Sequence, residues 1–143
     1  MIKGYVDTNV ILRFLVNDPP DMAEEAARLF QAVAEGQVTL VVDAIVIAEV
    51  VWVLSSFYKH PVSDIATALR DFLLQEGIEA EEKNALLHAL TLYETKNVDF
   101  ADALVAARMQ KHGIQCVFSF DTHFDRLPGI YRTSPGDFSP LSL

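Results

Sequence analysis

Four acidic residues stand alone within apolar stretches of this sequence: Asp7, Glu49, Asp102 and Asp121. An ionised carboxylate in an apolar setting destabilises a fold unless something compensates its charge. Carboxylates that share a site also repel one another, and a divalent cation held by their oxygens would relieve that repulsion. We therefore expect the four side chains to form one acidic site that binds a divalent cation.

Glu49 is the most isolated of the four acids. The stretch from Ala44 to Leu54 contains no other charged residue, and no Lys or Arg lies within nine residues of Glu49. A helix that is apolar on all sides is normally buried, and a buried Glu needs a partner. A solvent-facing Glu49 would also expose Ile45 and Trp52, which share its helical face. We therefore expect Glu49 to point inward, toward the other acids.

Asp7 and Asp121 each follow a predicted strand. Ligands of open α/β sheets bind beyond the carboxyl ends of the strands, so the two side chains would lie side by side if the first and fourth strands are neighbours. The alternative for Asp7 is a helix cap, but Thr8 and Asn9 are also able to cap and would leave Asp7 for another role. The alternative for Asp121 is a turn residue, which is the commoner role of such an Asp.

Asp99 and Asp102 lie at the start of a predicted helix. Asp99 is well placed as its N-cap, and we favour that role over metal binding. Asp102 is one turn further on, near the positive end of the helix dipole, where a carboxylate ionises more easily. Since capping needs no second acid, we expect Asp102 to belong to the site.

The remaining reactive residue types give weaker signals. The histidines show no metal-ligand spacing, and only His123 is near the proposed site, where we interpret it as a surface loop residue. Cys116 has apolar neighbours and is interpreted as a buried strand thiol. The sequence contains no phosphate-binding glycine loop and no serine nucleophile motif. Oxygen ligands without His or Cys favour Mg²⁺ or Mn²⁺.

The elements that must position these residues alternate between strand and helix. Strands are predicted at 2–6, 38–42 and 115–120, with at most a short edge strand at 77–80; helices are predicted at 9–16, 21–34, 63–75, 82–95 and 100–112, and in an apolar segment that Asp43 caps. This order predicts a single α/β domain, residues 1–143, in which helices flank a central parallel sheet. The segment 133–143 is rich in Ser and Pro and is expected to be irregular.

Composition limits the class of protein. The formal net charge of −9 argues against a nucleic-acid binder that coats the backbone with a basic stripe, although it is compatible with a nuclease whose site is acidic until metal binds. Asp43 and Glu49 interrupt the longest apolar stretch, so no membrane span is expected. The first residues do not resemble a signal peptide. We expect a cytoplasmic protein.

Four blocks in order carry a family resemblance. They are Val-Asp-Thr-Asn-Val at 6–10, Ala-Glu-Val-Val-Trp-Val-Leu at 48–54, Asp-Phe-Ala-Asp-Ala-Leu-Val-Ala-Ala at 99–107, and Phe-Ser-Phe-Asp-Thr-His-Phe-Asp-Arg-Leu-Pro-Gly-Ile at 118–130. Together they resemble the PIN-domain nucleases, particularly the VapC-type toxins of toxin–antitoxin pairs. The resemblance runs from residue 2 to about residue 131.

The resemblance implies a PIN fold, Mg²⁺- or Mn²⁺-dependent cleavage of RNA, a homodimer, and neutralisation by a cognate antitoxin. Carried over by position, the catalytic and metal-binding acids are Asp7, Glu49, Asp102 and Asp121, with Asp99 and Thr8 as accessory residues. One departure concerns the last block. The family commonly has an acid or amide two residues after the final aspartate, where this chain has His123, with Asp125 further on.

Two alternatives to a PIN nuclease remain at this point. A haloacid-dehalogenase-like phosphohydrolase also begins with an aspartate after its first strand, but Asn9 stands where its general acid would be. A catalytically inactive PIN-like binding module is the second alternative, and the presence of all four acids argues against it.

The early helix also suggests where a partner binds. Its apolar residues, which include Val10 and Phe14, predict a groove beside the amphipathic helix 21–34. An antitoxin segment would insert apolar side chains into that groove.

Overall fold

The structure is a computed structural model that describes residues 1–137. Its strands are β1 (Ile2–Tyr5), β2 (Val38–Val42), β3 (Ile78–Ala80), β4 (Cys116–Phe118) and β5 (Tyr131–Thr133). Its α-helices are α1 (Thr8–Val16), α2 (Pro20–Ala34), α3 (Ala44–Ser56), α4 (Val62–Leu74), α5 (Lys83–Lys96) and α6 (Phe100–His112). Short 3₁₀ helices span Thr122–Arg126 and Pro135–Asp137.

The strands form two separate parallel sheets. In the first, the order is β1-β2-β3, with Ile2 opposite Val38 and Leu40 opposite Ile78. In the second, β4 pairs with β5. The expected α/β architecture, with parallel strands flanked by helices, is confirmed. The condition stated for Asp7 and Asp121, that the first and fourth strands are neighbours, is not met by a ladder among the described residues, because β1 pairs only with β2.

Local signals predicted most of the elements. The strand at 38–42 and the helix at 100–112 have the predicted bounds, and Gly113 ends α6 with a positive φ of 69°. β3 is the predicted short strand at the sheet edge. The strand predicted at 115–120 is shorter, because the Asp121 amide donates to Ser119 Oγ and turns the chain.

The end of the described chain is more regular than expected. The segment 131–133, which was not predicted as a strand, pairs with β4, and Pro135–Asp137 forms a 3₁₀ helix. The prediction of irregular structure is therefore wrong for Thr133 and for 135–137. The rest of that prediction, residues 138–143, lies outside the described residues.

The core lies between the three-stranded sheet and the helices, and every buried side chain among residues 1–137 is hydrophobic. Helix α3 buries Ile47, Val50 and Leu54, while Ile45 and Trp52 on its other side remain 65% and 67% exposed. Cys116 is in a strand as predicted, but its thiol is exposed rather than buried. Among the described residues, no helix has the length and apolarity needed to cross a membrane.

Candidate active site

Asp102, Asp121 and His123 converge at the start of α6. Asp102 is in the first turn of that helix, while Asp121 caps the 3₁₀ helix Thr122–Arg126, which contains His123. One potential ligand atom from each of the three residues lies within 4.8 Å of the other two. Within residues 1–137 this is the one group of three or more such side chains with that spacing.

Hydrogen bonds fix the loop that carries Asp121. Its Oδ1 accepts from the backbone amide of His123 at 2.8 Å, and its own amide donates to Ser119 Oγ at 2.9 Å. Arg132 Nη1 donates to the Ser119 carbonyl at 3.1 Å, which ties the loop to β5. The carboxylate of Asp121 is therefore held by backbone geometry, and the imidazole of His123 lies 3.4 Å from it.

The two carboxyl groups have pKa values displaced in opposite directions. The pKa of Asp102 is raised, first by burial and then by the charge of Asp121, a hydrogen bond with it, and the charge of Asp99. The pKa of Asp121 is lowered, chiefly by the backbone hydrogen bond from His123, with help from the nearby His123 and Arg126 side chains. The pair thus accommodates one negative charge easily and a second only at a cost, which a bound cation would offset.

Asp7 and Glu49 form a second acidic group, joined through Thr8. Asp7 Oδ1 accepts from the Thr8 amide at 2.8 Å as the N-cap of α1, and Thr8 Oγ1 donates to Glu49 Oε2 at 2.8 Å. The interpretation that Thr8 or Asn9 would cap in place of Asp7 is therefore wrong. The expectation of an inward-pointing Glu49 is also wrong. Glu49 is exposed on α3, together with Ile45 and Trp52.

Direct contacts join the sequence-predicted acids in two pairs. Asp102 lies beside Asp121, and Asp7 is linked to Glu49 through Thr8. In the described part of the chain, neither Asp7 nor Glu49 joins a three-ligand group. Asp99 occupies the N-cap position of α6 without a capping hydrogen bond from its side chain, and its charge acts on Asp102.

His123 is the residue that sequence reasoning missed. It was interpreted as a surface loop residue, whereas its imidazole lies beside Asp121 in the cluster. The signal was its position two residues after Asp121, where a capping aspartate turns the chain back on itself. The two carboxylates suit Mg²⁺ or Mn²⁺, whereas the imidazole of His123 would favour Mn²⁺ or another transition metal over Mg²⁺.

The chain is similar to known proteins in sequence and in structure. A sequence profile of the PIN domain matches residues 4–130. The chain is 30% identical over 130 residues to the VapC ribonuclease of Aquifex aeolicus (strain VF5), which covers 91% of this chain and 95% of the relative. A crystal structure of VapBC2 from Rickettsia felis bound to a DNA fragment from their promoter matches with a TM-score of 0.39 and 19% identity, over 94% of this chain and 98% of that one. The profile match spans all four sequence blocks described above.

Proposed function

The chain belongs to the PIN-domain family, and from this premise we propose that it is a divalent-metal-dependent endoribonuclease, the toxin of a VapBC-type toxin–antitoxin pair. The observation that carries the proposal is the convergence of Asp102 and Asp121, with His123, within 4.8 Å. The identity of 30% with a VapC ribonuclease, over 91% of the chain, supports the reaction class. The family membership leaves no reason to keep the haloacid-dehalogenase-like alternative.

In the proposed mechanism, side chains of the acidic cluster place a metal ion at the phosphodiester that is cleaved. Asp102, Asp121 and His123 would hold Mg²⁺ or Mn²⁺. The bound ion would neutralise the phosphate and lower the pKa of a bound water. The hydrogen-bonded loop fixes the Asp121 carboxylate before substrate arrives, and such fixed charges need no rearrangement during the reaction. The expected products carry 5′-phosphate and 3′-hydroxyl ends.

Asp7 and Glu49 complete the proposed set of acids. The hydroxyl of Thr8 orients Glu49 through its 2.8 Å hydrogen bond, so Thr8 is a positioning residue. Asp99 tunes the charge of Asp102 without touching the reacting atoms. These roles remain proposals for this chain.

Charge also bears on substrate selection. A protein with a net charge of −9 attracts RNA weakly at long range. We therefore propose selective cleavage of particular RNAs rather than general degradation, since selection then depends on local contacts.

The proposed toxin function also implies protein partners. A cognate antitoxin would bind the toxin, and two copies of the chain would form a homodimer in the cytoplasm. The exposed apolar side chains of Ile45 and Trp52 on α3 support a protein-covered face, since large exposed apolar patches commonly mark interfaces.

The test is RNA cleavage by purified, antitoxin-free protein. Cleavage is expected with Mg²⁺ or Mn²⁺ and should cease on addition of EDTA. Asp102→Asn and Asp7→Asn should each reduce kcat at least about 100-fold, the size of effect seen when a charge-stabilising group is removed from an active site. The matched control is Asp64→Asn, at an exposed position in the first turn of α4, which should cleave like wild type.

Two outcomes would contradict the proposal. Full activity in both Asp102→Asn and Asp7→Asn would show that these acids are not the active site. Absence of cleavage by wild type on any RNA, with antitoxin binding intact, would favour the inactive PIN-like binding module.

A further inference from the structure

Arg132 is the middle residue of β5, and its guanidinium makes three hydrogen bonds. Nε donates to Asp125 Oδ1 at 3.2 Å, and Nη1 donates to the Ser119 carbonyl at 3.1 Å and to Ser134 Oγ at 3.2 Å. The side chain is 18% exposed, less than that of any other ion-paired residue in residues 1–137. A guanidinium so enclosed and so bonded is a fixed part of the structure rather than a mobile surface charge.

Two of the groups that accept from Arg132 flank the proposed metal ligands in sequence. Ser119 precedes Asp121 by two residues, and Asp125 follows His123 by two residues. One guanidinium therefore contacts both ends of the segment 119–125, which we call the ligand segment. The restraint continues inside the segment, because Ser119 Oγ accepts from the Asp121 amide at 2.9 Å and Asp121 Oδ1 accepts from the His123 amide at 2.8 Å.

A second arginine relates the ligand segment to the helix that carries Asp102. Arg126 ends the 3₁₀ helix Thr122–Arg126, and its Nη1 donates to the carbonyl of Asn97, the C-cap residue of α5. Asn97 begins the short turn that leads into α6. Arg132 thus fixes the shape of the ligand segment, while Arg126 fixes its place relative to the start of α6.

We propose that Arg132 is a positioning residue, which holds Asp121 and His123 in the arrangement that binds the metal ion, and that Asp125 acts by pairing with Arg132. The inference rests on the proposed function. It also gives Asp125 a role that the sequence alone left open, since among residues 1–137 Asp125 does not join the group of potential ligands. Groups that orient metal ligands by hydrogen bonds typically contribute about 10- to 100-fold to metal affinity.

The test is calorimetric titration of Mn²⁺ into antitoxin-free protein, without RNA. Arg132→Lys keeps the charge but loses the planar fork that reaches both ends of the ligand segment. The Kd for Mn²⁺ should rise about tenfold, the lower end of the range, because Arg132 acts through Ser119 rather than on a ligand itself. The KM for RNA at saturating Mn²⁺ should stay that of wild type, since the guanidinium bonds within the protein.

Arg70→Lys is the matched control. Arg70 Nη2 lies 3.1 Å from Glu94 Oε1, and the two side chains are each 29% exposed, so this ion pair is also partly enclosed. It joins α4 to α5, and its partner lies outside the ligand segment. Arg70→Lys should therefore bind Mn²⁺ with wild-type affinity, even where it unfolds at a lower temperature.

Two further readouts separate positioning from a general loss of stability. Arg132→Lys and Asp125→Asn should combine in the double variant to less than the product of their separate fold-changes, because both break the same ion pair. In Arg132→Ala, millimolar guanidinium chloride should restore part of the Mn²⁺ affinity, whereas an equal concentration of NaCl should not. Guanidinium should have no such effect on Asp102→Asn, which lacks a proposed ligand.

The inference is overturned if Arg132→Lys and Asp125→Asn both bind Mn²⁺ as wild type does, or if Arg70→Lys weakens binding as much as Arg132→Lys. Either result leaves the nuclease assignment intact. If circular dichroism shows that the Arg132 variants do not fold, Asp125→Asn decides alone, because its side chain is 55% exposed and unchanged affinity there overturns the inference. A wild type that binds no divalent cation would instead remove the proposed function, and this inference with it.

Discussion

The pKa values of Asp102 and Asp121 are shifted in opposite directions, and the effect of these shifts on stability can be measured without substrate. Asp102 has a raised folded-state pKa, so its favourable contribution to stability is fully present below the unfolded pKa and is lost as pH rises through the folded pKa. Asp121 has a lowered pKa, so its contribution is present above the unfolded pKa and is lost as pH falls through the folded value. The two carboxylates thus respond to pH with opposite signs.

Asn substitutions at the two positions should therefore shift stability in opposite directions. In metal-free protein at pH 7, Asp102→Asn should raise the free energy of unfolding and Asp121→Asn should lower it. Both differences should shrink as the pH is brought below about 4, the ordinary range of an Asp pKa. Urea denaturation at pH 7 and pH 4 measures this, with Asp64→Asn as control. A less stable Asp102→Asn at pH 7 would mean that the carboxylate is structural.

The direction of the Glu49 side chain was predicted wrongly from the sequence. Apolar residues surround Glu49 on every side of α3, so the pattern gives no hydrophobic face from which to infer its direction. The structure leaves Ile45 and Trp52 exposed, and Glu49 is exposed with them. His123 was missed for a related reason, because only the fold of the Asp121 loop brings its imidazole to the carboxylate.

At the scale of elements, α1 and α2 form a groove, as the apolar residues of the first helix predicted. Its volume is about 320 Å³, and its lining includes Val10, Met22 and Leu29 together with Arg13 and Glu25. Phe14, one of the apolar residues from which the groove was predicted, does not line it. Its ring centroid lies 4.5 Å from that of Phe30, so Phe14 contributes to packing between the two helices.

Met22 is the cleaner probe of this groove, because it lines the cavity and remains 49% exposed. Met22→Glu should weaken antitoxin binding about tenfold or more, as expected when an apolar anchor at an interface is replaced by a charge. The measurement is calorimetric titration with the proposed cognate antitoxin. Leu74→Glu, at another exposed apolar position, serves as control. Equal affinity for Met22→Glu and wild type would place the interface elsewhere.

Elements with strong local signals were predictable, and the pairing of strands was not. The run of β-branched residues in β2 and the Gly113 end of α6 are local features, and both gave accurate bounds. Whether β4 pairs with β1 or with β5 depends on residues far apart in sequence, about which a single strand's composition says nothing.

At the scale of the whole molecule, the proposed acidic site predicts that divalent cations stabilise the folded protein. A ligand that binds only the folded state at 100 times its Kd stabilises it by about 2.7 kcal/mol. Mg²⁺ should therefore raise the melting temperature of wild type, and should raise that of Asp102→Asn much less. Differential scanning fluorimetry with KCl at equal ionic strength provides the control, since general screening of a net charge of −9 would respond to both salts. Equal shifts in the two proteins, or with the two salts, would exclude a specific site at Asp102.

The distribution of the acids along the chain has a consequence for synthesis on the ribosome. Asp7 emerges early, but the cluster needs Asp102, Asp121 and His123, all from the last third of the chain. At roughly 5–20 residues per second, Asp121 is translated about 6–23 s after Asp7. A nascent chain halted before residue 121 carries no assembled cluster, however well its first helices fold. The proposed nuclease activity would therefore arise only after Asp121 and His123 have been synthesised.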